Sequence, residues 1–154
     1  MYITMKKKIL KAFKALGFIM EDLDGGYYYG FEYEAKHFLY IYNENDENFL
    51  TIACPTKSGK DDMGELKFYQ LMDKVNFTLK YIKAYTQEGN IWLYYERDIY
   101  EEDNIEKVIE RMIPRLEAGF DFIRRELKDS DNDNDTDGEE NTETKEDTEN
   151  EDVA

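Results

Sequence analysis

Residues 27–54 read YYYGFEYEAKHFLYIYNENDENFLTIAC. Within the first seven, Tyr27, Tyr29, Phe31 and Tyr33 recur at every second position, which is the side-chain period of a β-strand and not of a helix. Phe38 to Tyr42 and Phe49 to Cys54 are two further short runs, rich in the aromatic and β-branched residues that strands favour. Glu34-Ala35 is a short turn between the first two runs, and the polar stretch 43–48 separates the second from the third. The pattern predicts three strands of an antiparallel meander.

Working outward, Pro55 to Gly64 is polar with two glycines and reads as a loop. Leu66 through Asn76 then places Phe68, Met72 and Val75 near one another on a helix. Tyr81 to Thr86 alternates again, Glu88-Gly89-Asn90 supplies a tight turn, and Ile91 to Glu96 returns as the second arm of a hairpin. After Asp103 or Asn104 as N-cap, Ile105, Val108, Ile109, Met112, Leu116, Phe120, Ile123 and Leu127 keep helical spacing. Pro114 lies inside that helix, removing one amide donor and crowding the carbonyl of Glu110, so a bend is expected. Upstream, Ile9, Leu10, Phe13 and Leu16 share one face of a helix over Thr4 to Leu16, with lysines opposite and Gly17 as its stop. The order is α-β-β-β-α-β-β-α, an α+β fold with a five-stranded antiparallel sheet and helices.

At 154 residues, with 41% hydrophobic and 15% aromatic content, the chain fills one core of ordinary size. Charge divides it unevenly. Residues 129–154 hold thirteen acids against Lys145, a net of −12, leaving 23 acids against 19 bases for residues 1–128. The segment 129–154 has no aromatic residue and only Val153 and Ala154 apolar. Burial there cannot offset the roughly 1–2 kcal/mol per residue that ordering a backbone costs. Residues 1–128 are therefore expected to form the folded domain and 129–154 a disordered acidic tail.

Within the tail, Asp133, Asp135, Asp137 and Gly138 copy the opening of a calcium-binding EF-hand loop. The position of the bidentate glutamate is Thr144, the usually apolar eighth position is Glu140, and no exit helix follows. A solvated acidic run is the expected reading, and no metal site is assigned. No continuous apolar run forms a signal-peptide core or approaches the ~20 residues of a membrane span, so a cytoplasmic location is expected. Cys54 is the single cysteine and follows Ile52 and Ala53, which suits a small buried apolar side chain.

Catalytic chemistry has little to build on. His37 is the only histidine, so a histidine-based metal site or a Ser-His-Asp triad would have to centre on that one ring. A pair of Cys54 and His37 on adjacent strands is conceivable only if their registers match. Glu101-Glu102 and Asp61-Asp62 sit in polar connecting segments and read as helix-start and loop charges, not as a general acid and base in a cleft. No catalytic residue and no cofactor are expected. Sheets that stack nucleic-acid bases sit in a positive field, whereas this chain carries −16, so nucleic acid is not an expected partner.

Eleven of the thirteen tyrosines lie in or beside the expected strands. Tyrosine pairs a rigid apolar ring with a hydroxyl that tolerates water, which enriches it at protein interfaces. A five-stranded sheet with only three helices can leave part of one face open. Tyr27, Tyr29, Tyr40, Tyr42, Tyr85, Trp92 and Tyr94 are the residues expected to contact a protein partner there. The plainer reading packs half of the tyrosines under the helices and leaves the rest as ordinary strand residues.

The element order, together with Val75-Asn76, Tyr81-Ile82-Lys83, Gly89-Asn90-Ile91-Trp92-Leu93 and the terminal helix from Ile105, resembles the YbjN family. That family is similar in fold to the class I type III secretion chaperones. The resemblance covers approximately residues 5–127. It implies a small cytoplasmic α+β protein, often a homodimer, in a group linked to protein binding, chaperoning or regulation. The family offers no catalytic motif, so no functional residue is carried over. The expected function is a non-enzymatic module that binds a protein segment through its sheet face or dimer surface. The alternative is a small-ligand or calcium-linked regulatory domain.

Overall fold

A computed structural model describes the backbone of residues 2–153 and the side chains of residues 2–130. The chain divides into two compact units, 1–121 and 122–154. The first holds α1 (Met5–Ala15), β1 (Glu21–Asp22), β2 (Tyr28–Tyr33), β3 (Lys36–Ile41), β4 (Phe49–Gly59), α2 (Lys60–Met63), α3 (Glu65–Thr78), β5 (Ile82–Gln87), β6 (Asn90–Asp98) and the start of α4 (Ile105–Val153). The second is the continuation of α4. Beyond residue 130 the side chains of the acidic segment, including the EF-hand-like residues 133–144, lie outside the described residues.

The sheet is antiparallel with strand order β1-β2-β3-β4-β6-β5, six strands where five were expected. The extra strand is the two-residue β1, which pairs Glu21 with Gly30 and Asp22 with Tyr29. Two exposed acids carry no alternation, so nothing in their sequence marks a strand. β4 also departs from expectation by running through Pro55 to Gly59 instead of ending at Cys54. Its register shifts between Pro55 and Gly59, the kind of irregularity where a strand tolerates a proline. Thr56 anchors the passage, its buried hydroxyl donating to the Ile91 carbonyl at 2.6 Å.

Both two-residue hairpin turns use left-handed backbone, as turns matched to strand twist require. Glu88 and Gly89 have φ of 52° and 80°, whereas Glu34 and Ala35 take 50° and 61° with no glycine between them. At the N-terminus, the Thr4 hydroxyl accepts the Lys7 N–H at 3.3 Å and so caps α1, standing just outside the helix that was expected to begin with it.

Helices meet one side of the sheet. Phe13 of α1 packs on Phe31 and Tyr40, with ring centroids 5.0 and 5.7 Å apart. Phe68, Leu71, Met72 and Val75 are the buried stripe of α3, and Ile109, Met112 and Leu116 belong to that of α4. Gly119 lets α4 approach closely, since a β-carbon there would stand 3.1 Å from Leu93 Cδ1. Strand partners on this side are Ile52, Cys54, Leu93 and Tyr95, all buried.

The outer strand β5 is shielded by a side chain. Asn76 of α3 donates from Nδ2 to the Ala84 carbonyl at 3.0 Å and accepts the Ala84 N–H on Oδ1 at 2.7 Å. Its amide thus stands where the peptide of a further strand would pair, and unpaired edges recruit other chains. Asn76→Ala is expected to cost about 1–2 kcal/mol and to add association beyond that of the wild type. Thermal melting and light scattering measure the two effects, and unchanged values in both would show that water replaces the amide.

Candidate functional site

Strand alternation sends every second side chain to the side of the sheet away from Phe13 and Leu116. Register places Tyr28 opposite Ile41, Ile41 opposite Thr51 and Thr51 opposite Glu96 in one row across that side. A second row sets Pro55 opposite Trp92 and Trp92 opposite Tyr85. Between them Tyr94 stands opposite Ala53, a small and fully buried residue that leaves room for the ring. The helix contacts of Phe13 with Phe31 and Tyr40 and of Gly119 with Leu93 fall on the other side, while Thr51, Tyr85 and Trp92 keep part of their surface accessible, so this face is the open one.

The aromatic side chains of the open face touch one another. Tyr85 stacks on Tyr94 with centroids 4.1 Å apart and planes 2° from parallel, and Trp92 lies 6.3 Å from Tyr94. Tyr28 and Tyr85 are 37% and 41% exposed, Trp92 is half-buried, and Tyr94 at 4% is the floor beneath them. Together with Phe49 they border a groove of about 330 Å³ whose rim carries Asp46 and Glu96. Burial, with the nearby Tyr85, pushes the Tyr94 phenol above its ordinary pKa. Lys83 reaches Glu96 at 2.9 Å and lies 5.2 Å over the Tyr85 ring. Its pKa is raised, chiefly by the hydrogen bond to Glu96.

The seven residues expected to meet a partner do not form one patch. Tyr85, Trp92 and Tyr94 share the open face. Tyr40 and Tyr29 stack together at 5.9 Å on the opposite, helix-covered side, and Tyr40 is 1% exposed, so it presents no surface to a partner. Tyr27 and Tyr42 stack at 6.3 Å beside α1, where Lys6 lies 4.5 Å over the Tyr42 ring. The Tyr27 hydroxyl donates to Glu44 at 3.2 Å, and that carboxylate raises the phenol pKa. Tyr28 and Phe49 belong to the open face but were missed. Tyr28 is the intervening residue of the 27–33 alternation, and the face it takes depends on which set the helices cover.

The register also decides the Cys54 and His37 alternative. Cys54 lies on the helix side with Ile52, whereas His37, paired with Glu32, shares the open side with Leu39. The two side chains leave opposite faces of the sheet, which excludes a nucleophile-base pair. His37 is instead an exposed ring with Nδ1 3.3 Å from Glu32. Cys54 is fully buried, and burial pushes its thiol up to about 12. Among the described residues no group of three or more His, Cys, Asp or Glu side chains is arranged to hold a metal ion. Nor is any described helix long and apolar enough to cross a membrane.

An antiparallel sheet backed by helices on one side defines a small α+β protein of YbjN-like fold. Solved structures share it. YbjN from E. coli, a candidate transcription regulator, superposes with a TM-score of 0.59 at 10% identity, over 77% of this chain and 87% of its own. An uncharacterized protein from Methanothermobacter thermautotrophicus gives a TM-score of 0.59 at 16% identity, over 81% of this chain and 97% of its own. At such identities the likeness is one of fold, and it agrees with the resemblance read from the element order. No family model matches the sequence, and no curated protein matches it either.

Proposed function

We propose that the chain is a non-enzymatic protein-binding module, chaperone-like or regulatory, that receives a segment of a partner protein on the open face of its sheet. One observation carries the reading: helices cover one side of the sheet, while Tyr28, Tyr85 and Trp92 stay accessible on the other, around Tyr94. Large rings with few rotatable bonds lose little entropy on docking and bury much area, which makes them anchors of interfaces. The two fold neighbours named above support this reading in that neither is described as an enzyme. Kinship in fold with secretion chaperones, a cytoplasmic location and a homodimeric state belong to the same proposal.

The test is a proteome pull-down with the full chain and with Tyr85→Ser/Trp92→Ser, checked for unchanged circular dichroism and melting. Partners held by the wild type and lost by the variant are expected. An identical set of partners on both would place docking elsewhere, and light scattering on the same samples reports the homodimer. A second reading follows from a larger groove, about 620 Å³, lined by Phe18, Ile19, Leu23, Phe38 and Leu39 beside β1. That volume is in the range of small-ligand sites, and Ile19, at 88% exposed, stands at its mouth.

A further inference from the structure

We propose that the segment received by the open face is basic and places an arginine side chain in the groove between Trp92, Tyr85 and Phe49. The inference rests on the docking reading above and adds the chemistry of the partner. Its first support is the charge of the lining. The groove carries the carboxylates of Asp46 and Glu96 and no cationic side chain. Asp46 has no ion-pair partner among the described residues, so one carboxylate of the rim is free to receive a cation. The second support is the rings themselves, whose faces are the negative ends of their quadrupoles and attract cations within about 6 Å.

The protein already performs this recognition on itself at the border of the same groove. The Lys83 ammonium is held between the Glu96 carboxylate at 2.9 Å and the Tyr85 ring at 5.2 Å. On the other side of the groove Asp46 and Phe49 offer a carboxylate and a ring with no lysine between them. Arginine fits that second arrangement better than lysine. Its planar guanidinium stacks on an aromatic face while its edge donates two hydrogen bonds to a carboxylate, and it gives up less hydration on entering a partly dry site. A net charge of −16 adds a long-range field that concentrates basic segments and repels acidic ones.

Trp92 is the only tryptophan in the chain, so its emission reports occupancy of this groove alone, whatever binds to the acidic segment. The full-length protein is titrated with three capped hexapeptides alternating glycine with arginine, glutamate or leucine. The arginine peptide is expected to give a saturable change in Trp92 emission. Asp46→Asn/Glu96→Gln, with wild-type circular dichroism, is expected to weaken it about fivefold to tenfold. An equal change with the glutamate or leucine peptide overturns the cationic partner and leaves the docking face standing. An arginine response that the double variant does not weaken overturns it equally. If none of the three peptides moves Trp92, the inference and the docking reading both fail.

Discussion

Phe13→Ala is expected to lower the stability of the folded unit by about 3–5 kcal/mol, the range for truncating a phenylalanine in a packed core. Phe13 is fully buried and touches three other rings, with centroids 6.1 Å away at Phe18, 5.0 Å at Phe31 and 5.7 Å at Tyr40. α1 joins the sheet through this ring, because its remaining buried residues, Ile9 and Ala12, are smaller. Removing it leaves a cavity roofed by a helix whose lysines hold its other side in water, and the surrounding strands are too well paired to collapse into it. Phe77→Ala is the control: Phe77 is 89% exposed on α3 and its truncation is expected to stay within about 0.5 kcal/mol. Urea unfolding of both variants makes the comparison. A Phe13→Ala loss no larger than that of Phe77→Ala would show that α1 is not seated on the sheet.

The contrast between these two phenylalanines also shows what a sequence carries. Ile9 and Phe13 are spaced one helical turn apart with Gly17 as the stop, and all three act as that spacing predicts. The alternation of 27–33 likewise identified β2. Alternation, however, yields two sets of side chains and no indication of which set the helices cover. Tyr28 and Tyr29 are chemically equal neighbours, and only the packing of Phe13 on Phe31 sends Tyr29 inward and Tyr28 outward. That is why Tyr40 was expected at a docking surface and lies in the core.

The missed strand segments have a different cause. Pro55, Lys57, Ser58 and Gly59 are loop formers by local chemistry, yet β4 continues through them because Thr56 bonds to Ile91 and Gly59 pairs with Asn90. Those partners are more than thirty residues away in sequence, out of reach of any local rule. The candidate groove has the same character. Its rings come from β2, β4, β5 and β6, and its free carboxylate from the connection between β3 and β4, so it exists only in the assembled sheet.

Stability is expected to fall steeply as the pH rises above about 9, because the fold buries groups that ionise in that range. Burial pushes the Cys54 thiol from 9.0 up to about 12, an effect that nearby Lys36 only partly offsets. The phenols of Tyr40 and Tyr94 are likewise raised by burial from an ordinary value of 10.0. In each case the folded chain keeps a proton that the unfolded chain releases. The stabilisation is therefore complete below the unfolded pKa and is lost as the pH climbs toward the folded one. For Cys54 that window runs from 9.0 to about 12. At about 1.4 kcal/mol per pH unit, the thiol alone accounts for a loss of about 4 kcal/mol at the top of it. Domains of this size are stable by about 5–15 kcal/mol, so a loss of that order is a large share of the total, and the two phenols add to it in the same direction. Urea midpoints measured between about pH 8 and pH 11 test this with Cys54→Ala and Tyr40→Phe beside the wild type. Each substitution shifts the curve by its own packing cost, but it is the slope against pH that reports the buried proton. Shallower slopes in both variants are expected, and parallel slopes in all three proteins would mean that these groups ionise without the fold opening.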